Sequence, residues 1–336
     1  MGKWIADLER TTPVTDAARR VLTERLEAVR GYLPLALCDA DGDSEPVHQL
    51  RVGTRRARAA VEIFACCLSP KVARHARKLL RNIRRVAGAA RDWDVFLAAL
   101  TEWRRGQSRK LQPGLDCVVG YIVAQREAAQ VQLKEAGPDY PFAFDRFLAE
   151  TVAAVHKPHD CKLRFLCNLA SPRLAGLLNE LTAAAKRDLD DYEHLHQVRI
   201  LGKRLRYAME IFADCFDSSF RNQFYTAVED MQEILGNAND SYVASRRLGK
   251  LSARLQAVLP GQWKRLRAGL DGFLQYHQGR LPLERQRFQD WWGHWQLSGG
   301  ATAFQELLAY SAEDPLDAGA VPISRANQLT LRSNAG

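Results

Sequence analysis

The chain has 336 residues, 46% of them hydrophobic and 26% charged, and carries a net charge of +9 from 48 basic and 39 acidic side chains. That length favours two lobes over one core, and the composition excludes a chain disordered throughout, a collagen and a disulfide-stapled miniprotein. The unbroken apolar stretches are short, the longest being six residues at 63–68 and 95–100, so no bilayer span is expected. At the N-terminus, Asp7 stands where a signal peptide needs apolar residues. The seven cysteines form no Cys-x-x-Cys pair, although Cys66 and Cys67 are adjacent. Reduced thiols in a cytoplasm are expected.

Taken in chain order, apolar residues recur at spacings of three and four, and period-2 alternation bounded by Asn-Gly or Asp-Gly turns is absent. Pro and Gly punctuate the chain near 31–46, 69–70, 106–114, 137–141, 158, 172, 260–261 and 279–282. Between them lie segments of helical length, about four per half. Helices of that length on short loops pack as antiparallel bundles, so the expected fold is all-α, two linked helical bundles.

The halves follow from a repeat. Residues 47–64 (VHQLRVGTRRARAAVEIF) align with 195–212 (LHQVRILGKRLRYAMEIF) at nine of eighteen positions, at an offset of 148. The same offset sets Gly88 on Gly236, Asp92 on Asp240 and Val95 on Val243. Register kept over nearly fifty residues marks a duplicated unit. The units are 1–150 and 151–312, and 313–336 reads as a flexible tail poor in core-forming residues.

Charge is concentrated in the first unit. Residues 47–110 hold 16 Lys/Arg and 4 Asp/Glu, a net of +12 that leaves −3 for the remainder. At 100° per residue, His48, Arg51, Arg55 and Arg58 fall within an arc of about 80°, with Leu50, Ala57, Val61 and Phe64 opposite. His196, Arg199, Lys203 and Arg206 repeat that face before Leu205, Met209 and Phe212, and Arg56 and Arg204 complete the two motifs. Like charges along one face repel, so a bound anion relieves an electrostatic cost. The next segment adds Lys71, Arg74, Lys78, Arg81 and Arg85 along one side, flanked by Arg77 and Arg84. The second unit has Ser219, Asn222, Thr226, Glu229 and Glu233 there. The first unit is therefore expected to dominate the binding of a polyanion.

The doubled His-x-x-Arg-x-x-x-[Arg/Lys]-Arg-x-Arg, each copy followed by Gly-x-x-[Arg/Asn]-Asp, resembles the CHAD domain, the "conserved histidine α-helical domain", over roughly residues 10–310. The resemblance implies two four-helix bundles related by a pseudo-twofold axis and a basic channel that binds inorganic polyphosphate without catalysis, in a protein of polyphosphate granules. A Glu-x-Glu-x-Lys signature of a companion CYTH domain is absent, so the chain looks like the stand-alone form. Lys203 departs from Arg55 in keeping the charge and losing the planar fork.

The residues fit that implication. A polyphosphate has acceptor oxygens at every unit and no base edges, so a ladder of Arg and Lys suffices to recognise it. His48 and His196 follow loop-like sequence and are expected in a first helical turn, where a ring N–H and a helix N-terminus both face a phosphate. A neutral His in a local hydrogen bond is the alternative. Asp92 and Asp240 are expected to orient an Arg or to cap a helix.

His156, His159 and Cys161 offer ligand types, but Pro158 breaks their helical spacing, and no metal or other cofactor is expected. Phe288, Trp291, Trp292 and Trp295 read as a core-facing stripe. No catalytic residue is identified, since neither a phosphate-binding Gly-rich loop nor a base with its orienting carboxylate is present. The alternatives are a nucleic-acid-binding protein using the same face, against which stands the lack of interleaved aromatics, and a phosphohydrolase or phosphotransfer enzyme using His48 or His196.

Overall fold

Ser69 and Pro70 show how a helix of this chain begins. Ser69 is extended and its hydroxyl accepts the Val72 N–H at 3.4 Å, while Pro70 supplies a pre-set helical φ. Asp191 likewise accepts the Glu193 N–H at 2.9 Å at the head of the helix that starts at Tyr192. The structure, a computed structural model, describes residues 2–38, 43–137 and 140–310. The tail expected over 313–336 lies outside the described residues.

The described residues form ten α-helices: α1 (Val14–Cys38), α2 (Glu45–Ile63), α3 (Pro70–Arg104), α4 (Gln112–Ala136), α5 (Tyr140–Ala153), α6 (Leu166–Ala185), α7 (Tyr192–Phe212), α8 (Thr226–Val258), α9 (Pro260–Leu297) and α10 (Gly300–Tyr310). A π-helical turn over Phe220–Tyr225 leads into α8. No strand forms among the described residues, where the one isolated bridge joins Pro13 to Phe165. The fold is all-α, as the periodicity predicts, with short α5 and α10 in addition to the expected helices.

Pro34, Pro172 and Pro282 lie inside α1, α6 and α9 and do not end them as the punctuation suggests. An interior proline costs a helix ~3 kcal/mol through the lost N–H and a clash with the preceding turn. In α9 tertiary packing offsets that cost. Phe273 and His277 before Pro282 and Glu284 and Phe288 after it are all buried, so one inward face continues through the proline.

α2 packs on α1, α3 and α7, and α7 packs on α6, α8 and α2, so the two motif helices meet at the middle of the molecule. α3–α4 and α8–α9 are hairpins, joined where α4 crosses α9. There a Cβ on Gly114 would fall 2.1 Å from the Leu266 carbonyl oxygen, and one on Gly269 would fall 2.4 Å from that of Leu111. Only glycines allow that backbone contact. The apolar core forms two clusters. The larger runs from Ile5 to Leu308, and the smaller joins Phe96, Leu100 and Ile122 to Leu248, Leu270 and Phe273. Each draws on residues from both sides of position 150. The Phe288–Trp295 stripe packs against the larger cluster, the core-facing role read for it.

Candidate functional site

A cavity of about 660 Å³ opens where α2 faces α7, with walls from α3, α6 and α8. Ten basic side chains line it: Arg51, Arg55 and Arg58 from α2, Arg84 and Arg85 from α3, Arg173 from α6, Arg199, Lys203 and Arg204 from α7, and Arg247 from α8. His196 and two carboxylates, Glu62 and Asp92, complete the charged lining. Leu50, Ala57, Val61, Leu205, Met209 and Phe212 are buried behind the two faces, so the amphipathic pattern of each motif aims its cations into the cleft.

The carboxylates are already engaged. Asp92 Oδ1 lies 3.1 Å from Arg51 Nη1, which also donates to the Gly88 carbonyl. A Cβ at position 88 would stand 2.8 Å from that same nitrogen, so the glycine makes room for the arginine. Arg247 donates to the Asp92 carbonyl at 2.9 Å and stacks 4.0 Å above the Trp93 ring. Glu62 pairs with Arg58 at 2.9 Å, and its carbonyl accepts from Arg173 at 3.2 Å. Arg204 reaches out to Glu180 at 2.8 Å. Among the described residues no carboxylate pairs with Arg55, Arg84, Arg85 or Lys203. Arg173, Arg199 and Arg247 form no ion pair among the described residues either, so the arginines leave the cleft with surplus positive charge.

That surplus is electrostatically costly, and the groups in the cleft register it. Burial, then Arg55 and Arg199, push the Lys203 ammonium down to about 6. Burial lowers Arg84 as well, with Arg55 and Arg58 adding repulsion. Arg199 is lowered by burial and by Arg55, against the attraction of Asp240, and its Nε has no hydrogen-bond partner among the described residues. His196 is held below its ordinary value by burial and then by Arg199. Its ring stacks on Tyr192, whose hydroxyl lies 3.5 Å from Nδ1.

The cleft thus gathers Arg51, Arg55, Arg58, Arg85, His196, Arg199, Lys203 and Arg204 from the residues singled out in the sequence. Other residues of that group lie elsewhere. Arg56 is largely buried, paired with the fully buried Glu210 at 2.6 Å. Arg206 sits 3.3 Å from Glu229. His48 does not line the cleft, and its own N–H donates to the Ser44 carbonyl at 3.0 Å, so α2 offers no open terminus there. Burial, followed by Arg91, lowers its pKa. Lys71, Arg74, Lys78 and Arg81 are exposed along α3, outside the cavity.

Arg84, Arg173 and Arg247 are cleft residues outside the motifs. Arg84 flanks the basic row in the sequence, and its place in the cleft could have been read from Arg84, Gly88 and Asp92 stepping by four along α3; Arg247 similarly follows Asp240 by seven on α8. Arg173 carries no comparable signal. Asp92 orients Arg51, one of its two expected roles, and Gly88 and Gly236 lie inside helices and cap none. Among the described residues no three His, Cys, Asp or Glu side chains are grouped to hold a metal ion. His156 and His159 sit ring to ring at 5.6 Å.

A family model described as the CHAD domain matches residues 20–249. The crystal structure of the CHAD domain from the plant Ricinus communis superposes with a TM-score of 0.67 at 25% identity, covering 87% of this chain and 95% of that one. PptA from Streptomyces chartreusis has the same fold at 17% identity and a TM-score of 0.66, covering 84% of this chain and 100% of that one. No curated protein matches. With the model spanning about two thirds of its residues, both motif helices included, the chain belongs to the CHAD domain family.

Proposed function

We propose that this protein binds inorganic polyphosphate, without turning it over, in the cleft between α2 and α7, and that it associates through that ligand with polyphosphate granules in the cytoplasm. One observation carries the reading: ten basic side chains share one cavity with two engaged carboxylates, and among the described residues only Arg51, Arg58 and Arg204 of the ten form an ion pair. An array of that kind is costly when empty and is relieved by a ligand with a negative charge at every unit. Arg55, Arg84 and Arg85 supply planar forks for phosphate oxygens, and Lys203 a point charge.

The symmetry of the site supports reading the fold as a duplicated four-helix unit about a pseudo-twofold axis. α2 and α7 start 147 residues apart, and α4 and α9 start 148 apart. Two further features favour polyphosphate over the alternatives. The tyrosine in the cleft lining, Tyr207, is 6% exposed and offers no platform for a base. His196 has Tyr192 and Asn239 beside its ring where a catalytic base needs an orienting carboxylate. No helix among the described residues is long and apolar enough to cross a membrane.

Titration with long-chain polyphosphate tests the proposal. The Arg55→Gln/Arg84→Gln/Lys203→Gln variant is expected to lose at least a hundredfold in affinity while keeping its melting temperature. Wild-type affinity in that variant contradicts the reading. So does phosphate release by the wild type above that of a His48→Ala/His196→Ala variant.

A further inference from the structure

We infer that a polyanion too long for the cleft leaves it on one side only, along an exposed basic track on α3. The inference rests on the binding reading above and adds to it a direction and a dependence on ligand length.

Arg85 lines the cleft mouth and is itself exposed. Stepping back along α3 from Arg85, Arg81, Lys78, Arg74 and Lys71 follow at spacings of four, three, four and three. At 100° per residue all five lie within an arc of about 80°, and at 1.5 Å per residue they extend over ~21 Å. Every one of the four beyond the cleft is exposed, and among the described residues none is in an ion pair or a hydrogen bond. Between Pro70 and Arg91 the helix holds no acid at all. A surface helix built for its own stability places acids at i+4 to such bases. This row keeps its charge uncompensated and begins where the cleft opens.

The matching route in the second half is closed. The residues at the same offset are Ser219, Asn222, Thr226, Glu229 and Glu233, so the helix face there is acidic. The N-terminal segment also lies over it. Lys3 Nζ is 3.3 Å from Glu229, the Trp4 ring is 4.6 Å from that of Tyr225, and Arg221 stacks 4.8 Å above Trp4. Arg25, 1% exposed, fixes that segment by donating to the Gly2 and Lys3 carbonyls at 3.1 and 2.7 Å. A chain leaving the cleft on this side meets carboxylates, a tryptophan and the cations Lys3, Arg206 and Arg221, each already paired with a carboxylate. On the other side it meets four free cations.

At physiological salt the screening length is ~8 Å, so the far end of the track, ~20 Å from Arg85, acts on a ligand only by touching it. Chain length therefore separates the cleft from the track. Tripolyphosphate and long-chain polyphosphate are titrated against three proteins: the wild type, a track variant (Lys71→Gln/Arg74→Gln/Lys78→Gln/Arg81→Gln) and the cleft variant Arg55→Gln/Arg84→Gln/Lys203→Gln. The track variant is expected to bind the long chain at least tenfold more weakly, with a salt slope reduced by about three, and to bind tripolyphosphate within twofold of the wild type. The half-variants Lys71→Gln/Arg74→Gln and Lys78→Gln/Arg81→Gln give graded losses that do not depend on the quadruple variant folding well. Equal losses for both ligands, or no loss for the long chain, overturn the track. Wild-type binding by the cleft variant instead overturns the cleft reading beneath it, so the two failures are distinct.

Discussion

Arg51 and Gly88 are matched across two helices: the arginine Nη1 donates to the glycine carbonyl and occupies the space that a Cβ on residue 88 would need, 2.8 Å away. Gly236, the same motif position in the second half, has nothing within 4 Å of its missing Cβ. Two Gly→Ala substitutions should therefore behave differently. Alanine is worth up to ~1 kcal/mol over glycine inside a helix, so Gly236→Ala is expected to raise the melting temperature and leave binding intact. Gly88→Ala should dislodge Arg51 from Asp92 and cost polyphosphate affinity by about tenfold, the loss of one charge-assisted contact. Melting curves and titrations of the two variants check both halves of the expectation.

Ligand binding should take up a proton. With Lys203 at about 6 in the free protein, most of its ammonium is discharged at pH 7.5. A bound polyanion favours the charged form and raises that pKa, so affinity increases as pH falls from 8 toward 6. His196, also held low in the free protein, acts in the same direction. Calorimetry in buffers of different ionisation enthalpy measures the uptake. Lys203→Met should remove most of it, and Lys203→Arg should remove it while keeping affinity.

Arg56 belongs to the fold. Its guanidinium meets Glu210 at 2.6 Å, and Tyr225 donates to the same carboxylate at 3.1 Å. Removing one partner of a buried pair leaves an uncompensated charge, at a cost of about 3–5 kcal/mol. Arg56→Leu is expected to lower the melting temperature steeply, and Arg56→Leu/Glu210→Leu to recover much of it. Polyphosphate affinity of the folded Arg56→Leu protein at low temperature should stay within threefold of the wild type.

His277 sets an acid limit on stability. It is 3% exposed among Phe96, Phe273 and Tyr276, neither ring nitrogen has a hydrogen-bond partner among the described residues, and burial followed by Arg280 lowers it to about 4. A depressed histidine contributes stability above its unfolded value of 6.5, and that stability is lost as pH falls toward 4. Chemical denaturation from pH 7 to 4 should show the decline, and His277→Phe should flatten it and raise stability at pH 5.

Much of this architecture is legible in the residues themselves. The face holding Arg51, Arg55 and Arg58, and its repeat at Arg199 and Lys203, follow from helical spacing, and the cleft is where the two faces meet. Helical spacing does not report what neighbouring helices bring. Arg56 and Arg206 look as free as their neighbours, yet Glu210 and Glu229 neutralise them through contacts made only in the folded chain. Arg173 is invisible for the converse reason: nothing near it in sequence marks α6 as a wall of the cleft. The prolines mislead because Pro282 reads as a stop, while the burial of Phe273 and Phe288 on either side carries α9 through it.

The most direct measurement is competition. Labelled long-chain polyphosphate is held by the wild-type protein at physiological salt and challenged with tRNA, duplex DNA and unlabelled polyphosphate at equal phosphate concentration. Phosphodiesters space their single charges a sugar apart and carry bases that this lining cannot stack, so the account predicts displacement by polyphosphate at least tenfold more effective than by either nucleic acid. The preference should collapse in the Arg55→Gln/Arg84→Gln/Lys203→Gln protein. Equal or better displacement by tRNA or DNA would contradict the assignment of the cleft to polyphosphate.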